Sequence, residues 1–92
     1  YLKERHEFIF NYLLSHPCVD CGEKNPILLD FDHIRDKDRS ISKLVSSKVK
    51  TETIKNEIKK CEVRCANCHR LKTAKTNNWY NFLDKQLIEK YL

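Results

Sequence analysis

Apolar residues near the start of the chain recur three and four positions apart, at Leu2, Phe8, Ile9, Tyr12 and Leu13, with charged and polar residues between them. That spacing predicts an amphipathic helix over about 2–15, stopped by Pro17. His6 falls within it and His16 just after it, and both positions read as structural. After a turn at 23–26, the run Ile27-Leu28-Leu29-Asp30-Phe31-Asp32-His33-Ile34 predicts a strand, its alternation blurred as in a strand covered on both faces. The charged stretch 35–40 predicts a loop, and 41–45 a short helical piece. Ile54 and Ile58, four apart, predict a second clear helix over 52–60 with Thr51 as its N-cap, followed by a very short strand over 61–64. A further helix is expected over about 66–76, with a break at Asn77-Asn78. Beyond it Trp79, Phe82, Leu83, Leu87 and Tyr91 form an apolar stripe on a last helix, a pattern that suits packing better than base stacking. Together these elements predict an α+β fold, mostly helical, with a small sheet flanked by N- and C-terminal helices.

Composition turns this outline into one that needs a staple. Ninety-two residues make a single domain, 1–92, whose core is too small to be comfortable alone. Five cysteines without a signal-like run at the start point to a cytoplasmic chain that uses thiolates as metal ligands rather than in disulfides. No apolar run approaches the ~18–20 residues needed to cross a bilayer, so no membrane partner is expected. A chain beginning at Tyr1 is expected to be part of a longer protein, whose other domains or subunits would choose its target.

Cys18-Val19-Asp20-Cys21 and Cys65-Ala66-Asn67-Cys68 are two Cys-x-x-Cys pairs separated by a long connection. One such pair is a weak signal, but two deliver the four soft sulfur ligands that tetrahedral Zn²⁺ accepts. With Cys18, Cys21, Cys65 and Cys68 all on the ion, no position is left for water or substrate, so this zinc is structural. Gly22, the only glycine, follows the second ligand where a tight turn can require positive φ. Cys61 reads as a small buried side chain rather than a fifth ligand.

Zinc also changes the charge: four thiolates and one Zn²⁺ take the formal +5 down to +3. The distribution says more, since Lys55, Lys59, Lys60, Arg64, Arg70, Lys72 and Lys75 crowd around the second knuckle. Such a cluster suits a polyanion. Any catalysis must use other residues than the cysteines. Asp32 and His33 adjoin at the end of the predicted strand, and His69 directly follows the last ligand cysteine. A carboxylate and an imidazole can hold a divalent ion, and a second imidazole can take a proton from an attacking water. That set suffices for phosphodiester hydrolysis.

The order Cys18-x-x-Cys21-Gly22, Leu29-Asp30-Phe31-Asp32-His33-Ile34 and Cys65-Ala66-Asn67-Cys68-His69-Arg70-Leu71-Lys72 resembles the HNH endonucleases of phages and bacteria, over about 17–76. The resemblance implies a ββα-metal motif and a DNA endonuclease. It implies His33 as general base, with Asp32 and His69 binding a catalytic Mg²⁺ or Mn²⁺. Arg70 and Lys72, close behind His69, are natural partners for the flanking phosphates. The asparagine in the middle of the family's name would fall near Lys60 or Cys61 and is absent, and Asn67 lies inside the knuckle. What orients the His33 ring is therefore left to another group. The alternative is a zinc-stapled nucleic-acid-binding module without catalytic activity.

Overall fold

One face of the first helix carries both halves of the core. The computed structural model describes residues 2–92, and helix α1 spans Leu2–Leu14. Ser15 Oγ–H and the His16 ring both bond the Tyr12 carbonyl, at 3.0 and 2.7 Å, closing the helix before Pro17. The His16 ring also stacks on that of Tyr12, which makes it the structural histidine its position predicts.

Strand β1 is shorter than expected, Leu29–His33. Asn25 accepts a hydrogen bond from the Ile27 N–H, and Pro26 opens a single 3₁₀ turn over Pro26–Leu28, so the chain enters the strand two residues later. The strand is not covered on both faces, since Asp30 is exposed. β1 pairs antiparallel with β2, Cys61–Cys65, in the register Leu29 to Cys65 and His33 to Cys61. Between the strands lie α2, Ile41–Val45, and α3, Thr51–Ile58. Ser40 caps α2, but Thr51 is the first helical residue of α3 rather than its cap; Lys50 holds that position and supplies no side-chain bond. Helix α4, Ala66–Thr76, leaves β2 directly. Positive φ at Asn78 and Tyr80 then breaks the chain, and only Lys85–Glu89 is helical as α5.

Two apolar clusters meet on α1. Leu13, Cys18, Leu29, Val63 and Cys65 form one beneath the cysteine knuckles. Ile41, Leu44, Val45, Ile54 and Ile58 form the other between α2 and α3. Ile9, Tyr12 and Phe31 pack against both. Buried Arg5 pins the second cluster to α1 by donating to the carbonyls of Leu44, Val45, Ser47 and Val49, along the end of α2 and the segment that leads to α3. The C-terminal stripe did not become core: Phe82, Leu87 and Tyr91 are exposed, because the chain stays in turns up to Asp84 and is helical only over Lys85–Glu89, which leaves no continuous helix to align them.

The architecture is therefore α+β with a two-stranded sheet, and roughly half of it is helical rather than most. No described helix is long and apolar enough to cross a membrane.

Candidate functional site

The antiparallel pairing brings the two cysteine knuckles together. Gly22, at φ 80°, lets its N–H reach back to the Cys18 carbonyl at 2.9 Å, while the Cys18 N–H bonds the Glu23 carbonyl. On the other side Cys65 ends β2 and caps α4, its sulfur accepting from the Cys68 N–H. The sulfurs of Cys18, Cys21, Cys65 and Cys68 all lie within 4.8 Å of one another, and those of Cys21 and Cys65 are 3.6 Å apart. A tetrahedral ion with Zn–S bonds of ~2.3 Å needs sulfurs about 3.8 Å apart, so the donor set fits zinc. Burial opposes charge on Cys18, but backbone N–H groups bring its thiol down to about 6. Crowding by the Cys65 thiol together with burial holds Cys68 above its ordinary value. Cys61 stands outside the cluster, half-buried, with burial and the nearby Glu57 and Asp32 carboxylates pushing its thiol up to about 11.

Beside this cluster, alternation along β1 sends Asp32 and His33 to opposite faces. On one face His33 Nε2 lies 2.9 Å from Glu57 Oε2, and Glu57 is buried. The same carboxylate accepts from the Asp38 N–H at 3.0 Å and, through Oε1, from Lys60 Nζ at 3.0 Å. The Asp38 N–H does most to keep Glu57 ionised; burial works against it, Lys60 and His33 add to it, and the carboxyl is held at about 2. An ionised partner with no proton to give makes Nε2 the protonated nitrogen of neutral His33 and leaves Nδ1 free. Glu57 thus fixes the orientation of the His33 ring, and it also ties down the loop after β1.

On the opposite face Asp32 is buried among cations. Its Oδ2 accepts from Lys72 Nζ at 2.6 Å and Arg64 Nη1 at 2.8 Å. Burial opposes its charge, but Lys72, His69 and Arg64 together keep the carboxyl below its ordinary value. Asp32 Oδ1 lies 3.5 Å from His69 Nε2, and His69 Nδ1 lies 3.3 Å from Asp30 Oδ2. A carboxylate on one ring nitrogen, with the other turned to a second carboxylate, is how a ligand imidazole is commonly oriented. Arg64 also bonds Asp20 inside the first knuckle through Nε at 2.7 Å, linking the cysteine cluster to Asp32. His33, Asp30 and His69 border a single cleft.

Of the residues singled out in the sequence, the fold brings Asp32 and His69 together, and His33 and His69 line one cleft whose lining does not include Asp32. Arg70 and Lys72 part company, since residues two apart on a helix do not share a face. Lys72 is bound to Asp32, whereas Arg70 lies over the Trp79 ring, 5.0 Å from its centroid. Asp30 and Glu57 have no place among the sequence candidates, and Arg64 has one only in the basic cluster, not as a partner of Asp32. Glu57 had a visible signal, because it falls three residues after Ile54 and one before Ile58, within the buried stripe of α3.

The Glu57 contacts carry a pH signature. Its folded pKa lies below the ordinary 4.5, so its contribution is fully present above about pH 5 and is lost as pH falls toward 2. The shift corresponds to stability on the order of 3 kcal/mol. The stability gap between wild type and Glu57→Gln, measured by urea unfolding with zinc in the buffer, is expected to carry the full Glu57 contribution above about pH 5. It should narrow at lower pH. A gap independent of pH down to the acid transition contradicts the assignment.

No protein-family model, no curated protein and no solved structure matches this chain, so its function is argued from its own residues.

Proposed function

We propose that this chain is a zinc-stapled, divalent-metal-dependent DNA endonuclease of the HNH type, hydrolysing phosphodiester bonds with His33 as general base. The observation that carries the reading is that two imidazoles, from β1 and from α4, border one cleft, each held by its own carboxylate, with Asp32 against the second. The four-cysteine cluster is the structural Zn²⁺ site that ties the 18–21 knuckle to the end of β2 and the start of α4.

The chemistry follows from the free atoms. His33 Nδ1 takes a proton from the attacking water, while Glu57 accepts the Nε2–H bond, keeps the ring in the tautomer that can act as base, and stabilises the imidazolium that forms. Asp32 Oδ1 and His69 Nε2 are the two donors that would hold one Mg²⁺ or Mn²⁺, a hard oxygen and an imidazole lying close together. When bound, such an ion supplies Lewis-acid stabilisation of the phosphate oxygens. Arg64 and Lys72 hold Asp32 through its other oxygen and so present Oδ1. Lys72 and exposed Arg70 add the positive charge that draws a phosphate backbone to α4.

A second reading has one observation on its side. Asp32 is already satisfied by Lys72 and Arg64, so the same fold could bind nucleic acid without cutting it. Supercoiled plasmid distinguishes the two. Zinc-loaded protein is expected to convert it to nicked or linear forms with added Mg²⁺ or Mn²⁺, and to leave it intact when only zinc is present. Binding without cleavage under every metal condition would select the second reading.

A further inference from the structure

We propose that the cleft bordered by His33 and His69 is a subsite for a single unstacked nucleobase, so that the preferred substrate has a single-stranded or bulged nucleotide at the cleaved position. The inference rests on the nuclease reading and names its substrate class. The cleft lies between α1, β1 and α2 and has a volume of about 420 Å³. That is within the ~300–1,000 Å³ of small-ligand sites. Its floor is apolar, with half-buried Ile9 and Phe31 over the buried core, and its rim carries His6, Lys37 and Ser42.

Phosphodiester chemistry by itself needs no such floor. A duplex presents its phosphates and sugars outward, and its bases stay stacked inside, so a duplex passing α4 would leave the cleft empty. An unstacked base, by contrast, has two apolar faces that suit Ile9 and Phe31 and a polar edge that suits imidazole, ammonium and hydroxyl groups. It also hangs from the same sugar-phosphate that would reach His33, which lines the cleft directly. A base taken from an intact duplex must first be unstacked and unpaired, a cost that a single strand or a bulge largely avoids. The occupant is thus selected both by the lining and by the position of the cleft beside the candidate base.

Three end-labelled oligonucleotides of one sequence test this: a single strand, a perfect duplex and a duplex with one bulged nucleotide. Cleavage of the single strand and of the bulge is expected to be at least tenfold faster than that of the perfect duplex. Ser42→Trp, at an exposed position on the cleft wall that no proposed catalytic step uses, should remove most of this preference while leaving duplex cleavage within about twofold. Fluorescence anisotropy with the single strand on His33→Ala provides a readout independent of cleavage, and there Ser42→Trp should weaken binding at least fivefold. Equal cleavage of all three substrates, or unchanged binding by the Ser42→Trp, His33→Ala double variant, overturns the subsite. Absence of all cleavage beside a strong Ser42→Trp effect on binding would instead remove the nuclease reading and keep the base subsite.

Discussion

Cys65→Ser is expected to abolish both zinc binding and the cooperative thermal transition. The residue serves three structural purposes at once. It supplies a sulfur to the cluster, it ends β2 opposite Leu29, and it caps α4. Structural zinc contributes an apparent ~10–16 kcal/mol in small zinc-binding peptides. A domain's whole margin is ~5–15 kcal/mol. Two small apolar clusters joined through α1 are not expected to make up such a loss. Metal analysis and circular-dichroism melting check the outcome: wild type should hold one zinc per chain and melt cooperatively, and Cys65→Ser should do neither. Cys61→Ser is the control, expected to keep both because Cys61 lies outside the cluster. A native-like melt in Cys65→Ser would refute the structural-zinc assignment.

The second large effect concerns the imidazole on β1. His33→Ala is expected to lower plasmid cleavage at least 100-fold, the usual contribution of a positioned general base being about 10²–10⁴. Glu57→Gln should lower it about 10- to 100-fold by analogy with losses on removing an orienting partner. Glutamine can still accept one bond but loses the charge that favours the imidazolium. The effect should appear as a displaced pH–rate profile with zinc content unchanged, which a merely structural role for Glu57 would not produce. If Glu57→Gln cleaves with the wild-type rate and profile, Glu57 does not position the base.

Some elements could be read directly along the chain. The bounds of α2 and α4 agree with their predicted ranges because Ser40 and Cys65 cap them locally. α1 ends where its proline and its periodicity place the stop. The start of β1 was missed because Asn25 and Pro26 form a local 3₁₀ turn, whose bonds compete with extension into the apolar residues that follow. The C-terminal stripe was read as core because its spacing is helical. The break at Asn77-Asn78 is marked in the sequence, but the positive φ at Tyr80 beyond it is a backbone event that spacing does not reveal.

The candidate site divides in the same way. By itself the sequence determined which atoms are available: four sulfurs in two knuckles, an Asp-His pair, and a histidine immediately behind the last cysteine. Ligand chemistry depends on residue type and short spacing, and both are visible in one dimension. Only the tertiary structure decided how those atoms are directed. Glu57 reaches His33 across 24 residues, and Arg64 and Lys72 reach Asp32 across 32 and 40. Such contacts are set by the antiparallel register and by the packing of α3 and α4, through which a buried carboxylate meets the donors that keep it charged. The choice of donor atoms therefore lay in the motif, and their orientation lay in the fold.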